Sequence, residues 1–346
     1  MQLRSLLCAL RCAAAALVLS IGAQAHAGAD LDGIKARGVL RCGVSSEILG
    51  FSVRDASGRW TGLNVDFCRA VAAAALGDPE KVKYVELKAS ARFPALQSNV
   101  IDLLMRNTTW TLSREALFKV QFPAVLYYDG QGFLVPKSAG IKSLAELGGA
   151  TVCVEKGTTH EVRLPEYFRL HGWAVKPLVI DSAAGVAEAF LAGRCAAYTS
   201  DASQLAGVRA RAPGGAQAYD ILPERISKEP MGPVVRGGDA EWATLVRWVL
   251  HVLVAAEEHG MTRSNLEAKA KQMQAIAGWR VFSGNDDRIA RTLGVPANWA
   301  ARAIRAVGNY GEIYERNLGA ATPLAIERGL NRLWTQGGLL YSPPLD

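Results

Sequence analysis

Two separate runs of short apolar segments alternating with helical patterns constrain this chain more than anything else in it. In the first run, residues 38–44 read as a strand, 66–76 (DFCRAVAAAAL) as a helix stopped by Gly77-Asp78-Pro79, 82–87 as a strand, 92–97 as a short helix and 101–105 as a buried strand. Strands joined through helices lie parallel, because each crossover returns the chain to the same end of the sheet. After an apolar strand at 133–135 a second alternation begins: strand 151–155, a helix opened by Gly157-Thr158-Thr159, strand 173–180, helix 182–192 closed by Gly193, and strand 195–199. A helix to about residue 211 and a strand near 219–222 complete it. Gly232-Pro233-Val234-Val235 can then carry the chain back to the first half, and 239–260, 264–277, 286–293, 298–318 and 323–334 read as helices. The expected fold is α/β with two lobes, each built on a central, mainly parallel sheet, and a helical C-terminal extension. The expected division is 28–134 for the first lobe, 135–232 for the second, and 233–346 for the return and the extension, with hinges near 133–136 and 232–236.

Residues 1–27 stand apart from that pattern. Arg4 and Arg11 precede and enter an apolar core at 13–21, and Ala23-Gln24-Ala25 and Ala25-His26-Ala27 are small-x-small sites, so a secretory signal peptide cleaved after Ala25 or Ala27 is expected. The apolar run is too short for a comfortable membrane span. Export to the periplasm is the expected localisation. Without those two arginines the formal charge of +7 falls to +5, and no Lys/Arg block interleaved with aromatics appears, so nucleic acid is not an expected partner. Cys42, Cys68, Cys153 and Cys195 remain, an even number that suggests disulfides in an exported chain. The natural grouping is Cys42 with Cys68 and Cys153 with Cys195, one bridge in each half. No CxxC or HExxH spacing occurs, so neither a metal nor a cofactor is expected.

The stretch 106–114 (RNTTWTLSR) follows the 101–105 strand, which puts a polar cluster at a strand's carboxyl end, where open α/β sheets bind small ligands. Thr109 and Arg114 are spaced to close on one anion, and the arginine fork can grip a carboxylate with two parallel hydrogen bonds. The plainer alternative is a turn with an N-capping threonine and a solvated arginine.

With these elements in place, the chain resembles the type II periplasmic solute-binding proteins (solute-binding protein family 3), and within them the polar or general L-amino-acid-binding components of ABC importers. The resemblance covers essentially all of the chain after residue 27. It rests on 106–114, YYDGQGFLV (127–135), GTTHE (157–161), AYTSD (197–201), KEPMGPVVR (228–236), AVGNYGEIYERN (306–317) and LNRLWTQGGLLYSPP (330–344). It implies an amino acid enclosed between the lobes. Thr109 and Arg114 match the positions that hold the α-carboxylate, with Thr158 and Thr159 at a lobe-two helix start. Asp201 matches the acid that takes the α-ammonium, and Asn107 a position that reaches the same group. A helix N-terminus suits an anion, because its N–H groups are unpaired and its dipole end is positive. Thr158 and Asp201 read equally as ordinary N-caps. Phe51 is the candidate to stack on a ligand side chain, whereas Tyr127, Tyr128, Trp110 and Trp60 read more simply as core.

Three places depart from the family pattern, one of them Ala196, where relatives often place Asp before the lobe-two strand. The first loop reads Glu47-Ile48-Leu49-Gly50-Phe51 where Gly-Leu-Pro-Gly-Phe is common, which bears on side-chain specificity. Asn99 replaces a turn glycine, a mild change because asparagine tolerates positive φ. The implied function is an extracytoplasmic receptor, monomeric and not an enzyme, that docks on membrane permease subunits. Its rivals are a dehydratase-like enzyme on the same fold and an orphan or sensory binder of a related carboxylate. Such an enzyme would need an acid or base in the cleft. Glu47 and His160 are the candidates, and both are expected to face solvent.

Overall fold

The computed structural model describes residues 29–285 and 287–346, so the signal-peptide reading of residues 1–27 lies outside the described residues. The first sheet has the order β2-β1-β3, all parallel, with β1 Leu40–Val44, β2 Val82–Glu86 and β3 Leu103–Leu104. Between β1 and β2 runs α1 (Leu63–Leu76), an alanine-rich helix buried on nearly every side and ended by Gly77 in the left-handed conformation, φ 78°. Glycine adopts that conformation without the Cβ clash other residues meet. The short helices α2 (Arg92–Gln97) and α3 (Leu112–Phe118) flank β3.

The chain leaves this lobe through β4 (Tyr127–Asp129) and enters the second sheet as β5 (Gln131–Pro136). That sheet continues with β6 (Thr151–Glu155), α4 (Thr159–Leu170), β7 (Lys176–Ile180), α5 (Ala183–Leu191), β8 (Ala197–Asp201), α6 (Ala202–Arg211) and β9 (Tyr219–Ile221). Its order is β7-β6-β8-β5-β9. β7, β6 and β8 are parallel and β9 runs the same way, so this sheet is mainly parallel, with β5 alone reversed and antiparallel to both β8 and β9. The return strand β10 (Glu229–Met231) pairs antiparallel with β4. These two strands form the ribbon that joins the lobes.

The ribbon corrects two expectations. All of β5 belongs to the second sheet, so the second lobe begins near Gly130 and not at 135. Residues 133–136 lie inside that sheet, and Val235–Arg236 pairs with Val120–Gln121 in the first lobe, so both expected hinge segments are pinned in ladders. The crossings fall at Gly130 and just before Glu229.

The main core belongs to the first lobe. There the long helix α7 (Ala240–Glu258) packs on α1 and on α8 (Trp299–Val307), and the fully buried Trp242 donates its indole N–H to the Asp102 carbonyl at 3.1 Å. The region expected as one helix over 298–318 is two, α8 and α9 (Tyr310–Asn317), broken at Gly308 and restarted by Asn309 in a capping box with Glu312. Residues 323–334 are not the expected helix. Ala325 has φ 43°, Asn331 brackets the Tyr128 backbone with bonds of 2.7 and 2.9 Å, and only short 3₁₀ turns form. Tertiary hydrogen bonds there outweigh local helix propensity. The two disulfides are Cys42–Cys68, tying β1 to α1, and Cys153–Cys195, tying β6 to the start of β8, with Cα–Cα distances of 6.4 and 5.7 Å. No helix among the described residues is long and apolar enough to cross a membrane.

Candidate ligand-binding cleft

The carboxyl ends of β3 and β6 face each other across the junction of the lobes. Arg106, just past β3, donates from Nε to the Leu87 carbonyl (2.8 Å) and from its terminal nitrogen to Glu155 at the end of β6 (2.6 Å). Both side chains are 3 % exposed. Beside them Arg92 donates to the Gly157 carbonyl at 3.0 Å, again from one lobe to the other. Its pKa is held well below the usual guanidinium value by burial and by the charges of Arg114 and Arg106. Three buried guanidiniums therefore meet in one place, an arrangement that attracts anions.

Arg114 sits at the start of α3, where Thr111 caps the helix by accepting the Arg114 N–H at 3.1 Å. Its guanidinium donates to the Thr109 carbonyl at 2.8 Å and stands 5.6 Å from the Phe93 ring. Burial lowers its pKa to about 10, against the opposing pull of Glu229 and Asp201. Thr109 is buried and its hydroxyl donates to Glu229, which also accepts from the hydroxyls of Ser227 and of Thr159 (2.9 Å). Thr158 is the N-cap of α4. Its hydroxyl accepts from the Glu161 N–H (3.3 Å) and donates to the Glu155 carbonyl (2.7 Å), so it is fully engaged in the cap. Gly157, with φ +76°, lets the lobes touch, since a Cβ there would come within 2.9 Å of the Ser90 backbone.

Asp201 ends β8 and occupies the N-cap position of α6 without making a cap bond. Its carboxylate meets His160 Nε2 at 3.0 Å instead. His160 is 3 % exposed, which corrects the expectation that it faces solvent. Burial draws its pKa down, but the charge and hydrogen bond of Asp201 prevail and raise it. Candidate donor atoms of His160, Asp201 and Glu229 all lie within 4.8 Å of one another. Asp129 completes this acidic end, accepting from the N–H groups of Gly130 (2.7 Å) and Ser203 (3.0 Å). Burial and then the charge of Asp201 push its carboxyl up to about 7.

Asn107, in the left-handed region at φ 38°, accepts from Asn64 at 2.8 Å, while its own amide nitrogen is buried without a partner. Phe51 lies behind Asn107. It is 1 % exposed, packs edge-on to Tyr127 at 5.2 Å, and borders a void of about 10 Å³. Glu47 accepts the Ala184 N–H at 3.0 Å, bridging the lobes rather than only facing solvent. Trp60 and Tyr127 are buried, Tyr128 is half-buried, and Trp110 lies on the surface. The cleft opens into a cavity of about 460 Å³ between Ser90, Phe93 and Arg114 of one lobe and Thr158, Thr159 and Glu161 of the other. Of the residues expected from the sequence, Arg114, Thr158 and Thr159 line this cavity. Thr109 and Asp201 lie deeper, reached through Arg114 and through the Glu229–His160 group. Glu229, His160, Arg92 and Arg106 had no assigned ligand role in the sequence. An acid beside the otherwise apolar return segment is the one signal that could have found Glu229.

This two-lobed fold with a polar junction defines a class. The family described as bacterial extracellular solute-binding proteins, family 3, matches residues 40–320, and the chain belongs to it. It is 46 % identical over 336 residues to the general L-amino acid-binding periplasmic protein AapJ of Rhizobium johnstonii, covering 97 % of this chain and 98 % of that one. It is 49 % identical over 322 residues to the glutamate/glutamine/aspartate/asparagine-binding protein BztA of Rhodobacter capsulatus, covering 93 % and 95 %. Among solved structures, an ABC-transporter periplasmic binding protein from Brucella ovis with glutathione bound superposes with a TM-score of 0.86 at 45 % identity, covering 91 % of this chain and 99 % of that one.

Proposed function

We propose that this chain is the periplasmic receptor of an ABC importer, that it encloses an L-amino acid between its lobes, and that it presents the closed form to membrane permease subunits. Export behind residues 1–27 and action as a monomer are part of the reading. The observation that carries it is the convergence, from both lobes, of a buried arginine (Arg114), hydroxyl donors (Thr109, Thr159) and a buried carboxylate (Asp201). A zwitterion presents the complementary charges.

The geometry suggests how binding proceeds. Thr109 and Thr159 both donate to Glu229 in this structure. An incoming α-carboxylate takes those donors together with Arg114. Glu229 is then free to turn toward the ammonium, with Asp201. The ligand exchanges one carboxylate for another at the hydroxyls, so neither threonine is left unsatisfied. Contacts reach both lobes, and ligand stabilises closure only through such contacts. Asn107, with an unpartnered amide nitrogen, is the further candidate to reach the ammonium, and Phe51 supports it from behind. Thr158 contributes by fixing the start of α4.

A second reading, a ligand larger than one amino acid, has one observation in its favour. The 460 Å³ cavity continues past Arg114 between Pro94 and Val162, and the Brucella ovis relative holds glutathione. One screen tests both. Ligand-stripped protein is melted with each of the twenty L-amino acids, their N-acetyl derivatives and glutathione, since a ligand that binds only the folded state raises the melting temperature. Shifts with free but not acetylated amino acids are the expected result. Shifts with glutathione alone support the larger ligand, and no shift with any of them overturns both readings.

A further inference from the structure

On the first lobe, away from the cleft, a cavity of about 490 Å³ lies between one side of α1 (Asp66 to Gly77 at its end), the loop before the helix Leu266–Met273, and helices α8 and α9. Five arginines line it: Arg69, Arg263, Arg302, Arg305 and Arg316. Only two acids do, Asp66 and Glu80, so the lining carries +3 of the +5 that the chain holds without Arg4 and Arg11.

The acids are already engaged. Asp66 accepts from Arg316 at 2.8 Å and from Asn317 at 2.7 Å, and Arg69 reaches Glu80 at 3.5 Å. Arg305 pairs outside the lining with Glu267. Arg302 and Arg263 are left over. Arg302 lays its guanidinium over Gly77 at the end of α1, and its side chain has no acidic partner among the described residues. Arg263 bonds Glu312 through its backbone N–H at 3.0 Å, not through its guanidinium. Two guanidiniums without acidic partners, set beside three paired ones in the same concavity, cost free energy unless an anion joins them.

We propose that this cavity is an anion site for a multivalent oxyanion of the phosphate class. The guanidiniums enter from four different segments and so approach from several directions. A tetrahedral oxyanion offers oxygens in all of those directions, whereas a lone carboxylate presents a single planar edge. The same phosphate chemistry is available from a free anion or from the headgroup of an anionic lipid. The proposal is independent of what the cleft binds.

The test is calorimetric titration of the full-length mature protein with inorganic phosphate and with pyrophosphate, each at ionic strength matched with chloride. A parallel arm measures co-sedimentation with vesicles of phosphatidylglycerol or of phosphatidylcholine. The variants are Arg302→Gln alone and Arg263→Ala with Arg302→Ala, chosen because neither arginine holds Asp66 in place. The melting transition reports whether each variant is folded. Saturable phosphate or pyrophosphate binding that weakens at least tenfold in the folded variants supports a site for the free anion. Retention on phosphatidylglycerol but not phosphatidylcholine, lost in the same variants, supports the site with lipid as the source. No binding in either arm, or equal binding by wild type and variants, overturns it.

Discussion

Glu229 and Asp201 stand close enough to Arg114 to support its charge against burial, and His160 lies with the two acids. Removing Arg114 leaves Glu229 and Asp201 short of a buried counter-charge and deprives a ligand carboxylate of its partner. Arg114→Ala should therefore weaken amino-acid binding by at least ~100-fold, in line with the ~3–5 kcal/mol typical of breaking a buried ion pair. Titration calorimetry reads this directly, and unchanged affinity removes the assignment. The acidic end also makes the site sensitive to pH. Asp129 has a folded pKa of about 7 against an ordinary 3.8, so the folded state holds an extra proton between those values and stability falls as pH rises across that window. His160 is raised above 6.5, so its contribution is complete below that value and is lost as pH climbs through the folded one. Both act in the same direction. The melting temperature of ligand-free protein should drop from about pH 5 to about pH 8, with Asp129→Asn flattening the lower part of the profile and His160→Gln the upper. A bound ammonium favours the ionised acid, so binding near neutrality should release protons. Calorimetry in two buffers of different ionisation enthalpy measures that release, and identical heats in both would contradict it. Part of this site was legible in the sequence, since Thr109, Arg114, Thr159 and Asp201 stand at strand ends and helix starts that any α/β chain places at its cleft. His160 was not, because nothing local tells a buried histidine in a first helical turn from a solvated one. Its partner lies 41 residues away.

At the scale of elements, the alternating strands and helices were readable because apolar runs and glycine stops are local signals. Asn99, read as a tolerated replacement for a turn glycine, does adopt a positive φ of 60°. The failures are where long-range contacts decide. The break at Gly308-Asn309 depends on a cap that also reaches Met261, and residues 323–334 are drawn out of helix by bonds to Tyr128, Tyr314 and Glu257. The disulfides close separations of 26 and 42 residues within their own lobes, and each should stabilise by about 3.5–4 kcal/mol in the chain-entropy model. The paired change Cys153→Ser and Cys195→Ser should lower the second lobe's denaturation midpoint. Equal stability of wild type under reducing and oxidising conditions would argue against that. Gly157 links element to function, because its positive φ and the backbone of Ser90 leave no room for a Cβ when the lobes meet. Gly157→Ala should leave each lobe folded yet weaken binding about tenfold, as the clash with Ser90, costing ~1–2 kcal/mol, falls on the closed form while the positive-φ strain is common to both forms. Unaltered affinity would mean that the lobes do not close this far in solution.

Across the whole molecule, the lobes are held by a ribbon and by a few contacts that differ in depth. Arg106–Glu155 is buried, with each side chain 3 % exposed, whereas Lys88–Asp181 joins the same two lobes at 2.8 Å on the surface, with side chains 59 % and 49 % exposed. Opening the cleft hydrates Arg106 and Glu155 together, so separating them is far less costly than burying either one alone. Their pairing therefore sets how much of the ligand-free population is closed, without locking it. A ligand that binds the closed form has an apparent affinity reduced by the fraction of molecules already closed. Glu155→Gln keeps the side-chain shape but leaves Arg106 charged and unpaired on closure. It should enlarge the ligand-free radius of gyration in small-angle scattering and weaken binding roughly 10- to 100-fold, although the Glu155 carboxylate bonds Arg106 and none of the residues proposed to hold the ligand. Lys88→Ala, at the exposed pair, should change affinity by no more than a few-fold, and less as salt is raised. If the two variants behave alike, closure is governed by the ribbon at Gly130 and Glu229 and not by the buried pair. A loss confined to Glu155→Gln, with the scattering change, makes that pair the latch of the receptor.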